Sequence, residues 1–89
     1  MRTEQVEIYS DTTNQAILRH PARRFPGVLI QGDTLKHLHD QVVSALNETS
    51  PSNEEAFFSL KNVHEFLGDC LDHYRAVLRH HNIELPFVD

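Results

Sequence analysis

Cysteine is nearly absent: Cys70 stands alone among 89 residues, so an internal disulfide, a cysteine zinc finger and a dithiol redox pair are all excluded. Tryptophan is missing, and glycine and proline number only 3 and 4. With no low-complexity tract either, the composition is neither disordered nor fibrous. Long apolar runs are missing too: none exceeds three residues, the length of Val28-Leu29-Ile30, where a membrane helix needs about 20. The start, Met1-Arg2-Thr3-Glu4-Gln5, has no apolar signal core. These absences predict a cytosolic chain, in which the sequon-like Asn47-Glu48-Thr49 carries no glycan. What is present, 39% hydrophobic and 24% charged residues, predicts an ordinary globular protein. At this length it forms a single α+β domain over residues 1–89 that buries roughly 60 to 65% of its unfolded surface.

Charge is unevenly spread. Residues 1–32 carry four Arg against three acids, residues 33–72 two Lys against eight acids, and residues 73–89 two Arg against two acids, giving +1, −6 and 0 within the net −5. So acidic a middle is repelled by a phosphate backbone, which argues against nucleic acid as the main ligand and favours a basic protein. The local exception, Arg19, His20, Arg23 and Arg24, reads as solvated turn charge.

Alternation over Gln5 to Ser10, with Val6, Ile8 and Ser10 on one face, predicts a half-buried strand, and Asp11 to Asn14 a turn. Ala16-Ile17-Leu18 fits a second short strand, although three apolar residues do not separate strand from helix. Pro21, Pro26 and Gly27 mark a loop before Val28-Leu29-Ile30, whose branched residues predict the best strand core in the chain. Gly32 ends that strand in a backbone conformation that side chains resist, and Asp33 or Thr34 caps the helix that follows.

That helix carries Leu35, Leu38, Val42, Ala45 and Leu46 on one stripe and ends near Asn47. Past Pro51, Ser52-Asn53-Glu54-Glu55 has the form of a capping box and opens a second helix. Its apolar positions run through Ala56, Leu60, Val63, Leu67, Cys70, Leu71, Tyr74 and Leu78, flanked by Phe57, Phe66 and Val77. From Asn53 to His81 it would be about 43 Å long, more than one small domain is wide. Either it bends at Gly68 or part of it packs on another chain. Alternating Ile83, Leu85 and Phe87 suggest a last edge strand that tolerates Pro86. The predicted fold is a small antiparallel sheet with two helices packed on one face.

The run Phe25-Pro26-Gly27-Val28-Leu29-Ile30-Gln31-Gly32-Asp33-Thr34-Leu35 resembles the strand-to-helix segment of the HicB-like antitoxin family. The ending Ile83-Glu84-Leu85-Pro86 is similar to that family's as well. The chain departs from the family at Lys36-His37-Leu38, where acidic and small residues are usual, and in its linker through Pro51; no added DNA-binding segment is expected. The resemblance implies a small protein that sits on a basic, RNA-cleaving toxin and inhibits it without chemistry of its own. The chain also resembles short bacterial proteins of unassigned function that carry an R-x-F-P-G-x-x-x-Q-G-D-x-L run, here Arg23 or Arg24 through Leu35.

Seven histidines supply metal-type ligands: Asp33 and His37, like Asp69 and His73, lie four apart on a helix, and Cys70 and His73 three apart. Such pairs arise by chance and fix no third ligand. The sequence predicts no bound metal, no cofactor and no catalytic residue, since phosphate loop, nucleophile elbow and paired acids are all missing. Cys70 reads as a small buried hydrophobe. The function predicted is a non-enzymatic, acidic, partner-binding protein of antitoxin or immunity type, a homodimer that binds its basic partner through Glu54, Glu55, Phe66, Asp69 and Asp72. The competing reading is a small metal- or ligand-binding regulator that uses its histidines.

Overall fold

A computed structural model describes all of residues 1–89. The protein is α+β, with a three-stranded antiparallel sheet and two helices in the order β1 (Glu7–Ser10), β2 (Ala16–Arg19), β3 (Gly27–Leu29), α1 (Gly32–Glu48) and α2 (Glu54–His80). It divides into two compact units, residues 1–31 and 32–89.

The first unit is a meander of strand order β1-β2-β3. Ile8 pairs with Leu18, Ile17 with Val28, and Ala16 with Leu29, so β-branched and aliphatic side chains meet across each ladder. Ala16-Ile17-Leu18 is thus a strand, and its central place explains why β2 is half-buried throughout while β3 is exposed and β1 is half-buried only at Ser10. The alternation expected along Gln5 to Ser10 breaks: pairing starts at Glu7, and the register shifts between Ile8 and Ser10. An irregularity of this kind puts residues on either side of it out of phase, so Ser10 does not continue the face of Ile8. At the other end, the Glu7 carboxylate accepts from Arg19 across the ladder.

The second unit is an antiparallel helical hairpin. Its direction follows from two contacts: the start of α1 at Gly32 lies against Tyr74, and His39 reaches both His64 and Gly68. Gly32 is not left-handed, which corrects the sequence reading. No glycine here has a positive φ, and α1 already begins at Gly32. Its reason is proximity: a Cβ at this position would lie 2.2 Å from the Tyr74 ring. Asp33 falls inside the first turn and accepts from the Thr34 N–H at 2.9 Å, which also places a carboxylate at the positive end of the helix dipole.

The capping box at Ser52 does not form. Asn53, not Ser52, occupies the cap position and makes no side-chain hydrogen bond there, and the Ser52 hydroxyl bonds to that of Ser50 at 2.7 Å. α2 runs unbroken through Gly68. Its inner side carries Leu60, Leu67, Tyr74 and Leu78 around Leu71, the one fully buried side chain of the protein.

The last segment is no strand. Asn82, at φ 57, turns the chain, and the Ile83 N–H donates to the Leu78 carbonyl at 2.9 Å, closing the helix. The segment then runs back over α2, where Phe87 stacks on Tyr74 with centroids 6.3 Å apart and lies 5.7 Å from the Arg75 guanidinium. Phe87 is therefore used against a helix, which supplies no ladder for a strand to join, while Ile83 stays 56% exposed.

Candidate functional site

The outer surface of α2 carries the residues singled out from the sequence. Glu54, Glu55, Phe66, Asp69 and Asp72 are all exposed on this one helix. At about 100° per residue, they do not share one face. Glu54 and Asp72, 18 positions or five full turns apart, fall on one edge, and Glu65 lies between them. Phe66 lies on the opposite edge with Val63 and Val77, and Glu55 and Asp69 point between the two. Each edge borders the inner side that meets α1.

Along the acidic edge most charge is uncompensated. Asp72 accepts from Arg75 Nη1 at 3.3 Å, but Glu54, Glu55, Glu65 and Asp69 make no ion pair within the chain. Glu54 and Glu55 occupy the first turn of α2, where the helix dipole favours negative charge. Phe58, 60% exposed, lies beside this edge.

On the opposite edge Val63, Phe66 and Val77 are exposed, with Phe66 at 68%. Cys70 is free and half-buried in their midst. It is therefore not the buried core residue read from the sequence, because the stripe it belongs to wraps partly out of the hairpin. A seven-residue spacing of Val63, Cys70 and Val77 was visible in the sequence, but was absorbed there into a single broad stripe.

Several charged side chains elsewhere are paired, while others, such as Asp33, Glu48, Lys61 and Glu84, are not. Arg75 grips the Asp89 carboxylate with both Nε, at 2.9 Å, and Nη2, at 2.6 Å. This fork holds the Asp89 carboxyl below the usual carboxylate range and the guanidinium above its own, mainly by the hydrogen bonds themselves and against some desolvation. Lys36 donates to both Asp40 oxygens at 2.8 and 2.7 Å and lowers the Asp40 carboxyl in the same way. In the sheet unit Arg19 is spent on Glu7 and on the Arg23 carbonyl, while Arg24 lies over the Phe25 ring at 5.3 Å. The basic cluster is thus partly neutralised in place. A shallow hollow beside it is lined by Leu18, His20, Phe25 and Leu29.

Among the histidines, only His39 and His64 stack across the hairpin, with centroids 5.0 Å apart, a pair that no local spacing announces. His39 Nδ1 is buried and has no hydrogen-bond partner. The pairs Asp33/His37, Asp69/His73 and Cys70/His73 gain no third ligand, since no three His, Cys, Asp or Glu side chains are placed to hold a metal ion. No polar or charged side chain is fully buried, and no helix is long and apolar enough to cross a membrane. No curated protein and no solved structure matches the chain. The model of a family of unknown function, DUF6959, matches residues 1–87, nearly the whole length, and the chain belongs to that family.

Proposed function

We propose that the chain is a non-enzymatic, acidic protein-binding module of antitoxin or immunity type, acting in the cytoplasm, which engages a basic protein along the acidic edge of α2. The observation that carries this reading is the row of carboxylates on one helix, four of them without an ion-pair partner. Unpaired negative charges on one rigid surface repel each other, and a cationic partner relieves that repulsion while being steered to it. Phosphate would add to it. Phe58 beside the edge supplies the apolar anchor that charge alone lacks.

Capture of partners with the tagged chain, followed by association kinetics against salt, tests the reading. Replacing Glu54, Glu55, Asp69 and Asp72 together by their amides should slow association about tenfold or more and flatten its salt dependence. Salt-independent binding by the native protein refutes the charge account. A second reading, a metal-binding regulator, draws on the stacked His39 and His64 alone. Zinc titration with thermal melting decides it, because a true site raises the melting temperature by mass action.

A further inference from the structure

The apolar edge of α2 is a second helix-packing seam, and we propose that it is filled by the same edge of a second copy of this chain, antiparallel to the first. Ala56, Val63, Cys70 and Val77 follow one another at steps of seven, the repeat that keeps a seam facing a partner helix over several turns. Phe66 and His73 fall in the alternate positions of the same repeat. This stripe is distinct from the inner one around Leu71 that packs on α1. Its central residues are open: Val63 is 47% exposed and Phe66 68%.

The length of α2 supports a second contact. Its 27 residues extend about 40 Å, while α1 has only 17 residues to lay against it. Two hairpins joined through their longer helices make a four-helix arrangement, in which each α2 is flanked on two sides. Charge sets the direction. Glu54 and Glu55 stand at one end of α2, and Arg79 and His80 at the other. Antiparallel pairing sets each acidic end beside a basic one and opposes the two helix dipoles, while parallel pairing sets like ends together. Centred on the middle of the seam, it sets Phe66 opposite Cys70 of the second copy, and Val63 opposite its His73. Glu54, Glu65 and Asp72 stay free on both copies, while Glu55 and Asp69, each one position before a seam residue, border it. The seam variants Phe66→Glu and Val63→Glu keep all five carboxylates, so failure of this assembly and failure of basic-partner binding are read separately.

Sedimentation equilibrium from about 1 to 100 μM, spanning the usual range of such associations, is expected to give twice the 10.3 kDa chain mass. A mass of one chain at every concentration overturns the proposal. Phe66→Glu and Val63→Glu should each raise the dissociation constant about tenfold or more with helical circular dichroism retained. Phe58→Glu, on the other edge, should leave it unchanged. A dimer indifferent to both seam variants overturns the assignment of the face. Where a seam variant loses its helicity, cross-linking decides: wild type mixed with the Phe66→Cys/Cys70→Ser chain should give a covalent heterodimer on oxidation. Wild type linking to itself through Cys70 would show a parallel pair, and no link in an assembled mixture would show a different face; either overturns the antiparallel seam.

Discussion

Gly32 lies so close to Tyr74 that even a methyl group has no room, with ring atoms 2.2 to 2.5 Å from where it would sit. Gly32→Ala is expected to cost about 1–3 kcal/mol, the usual range for overpacking, read as a lower denaturation midpoint; an unmoved midpoint would show that the ring swings aside freely. The position was legible in the sequence, as a glycine between strand and helix, but the cause was not, because Tyr74 is 42 residues away in the chain. Asp89 is a different case, with no local signal at all. Its carboxyl is held low by the hydrogen bonds of Arg75, so the contribution of the fork is present above the ordinary carboxylate pKa and is lost as pH falls through the lowered value. The protection of the amides of residues 82–89, taken relative to their intrinsic exchange rates, should therefore fall in acid below about pH 4, and Asp89→Asn should show the lower protection already at neutral pH.

Continuity is the main property of α2. Gly68 is neither kinked nor crowded: a Cβ there would meet only His39 Nε2, at an ordinary 3.8 Å. Gly68→Ala should then stabilise the hairpin by about 0.5–1 kcal/mol, since alanine has less backbone freedom to lose in a helix interior; a lower melting temperature would reveal strain at His39. Both helices were legible because their 3.6-residue periodicity persists over many turns, and it located their ends to within a residue or two. The ending was not. A period of two in Ile83, Leu85 and Phe87 does not say what each side chain meets: here Tyr74 and Arg75 take the place of a strand for Phe87, and Ile83 stays exposed. Phe87→Ala is expected to remove roughly 1–2 kcal/mol of stability, measured by thermal melting, with the helix content of the folded state unchanged.

Across the molecule, charge and apolar surface were legible as amounts, while their arrangement on opposite edges of one helix needed the inner stripe to be fixed first. The contact of α1 with α2 fixes it, and that contact depends on which way the hairpin closes. The connections within each unit carry a further consequence. β1 pairs with β2, β2 with β3, and α1 with α2, each joined to the next by a short link. Little chain must be closed before these contacts form, so the loop entropy opposing each step is small. Such local wiring puts the search for the native hairpin in the microsecond-to-millisecond range. Stopped-flow or temperature-jump refolding, followed by far-ultraviolet circular dichroism at concentrations below assembly, should show most of the helical signal recovered on that timescale. Recovery spread over seconds would mean that pairing between distant parts of the chain governs the rate. Speed of this kind also bears on biosynthesis: the sheet unit is complete in sequence before the first residue of α1 is added, so each half can begin to organise as it is made.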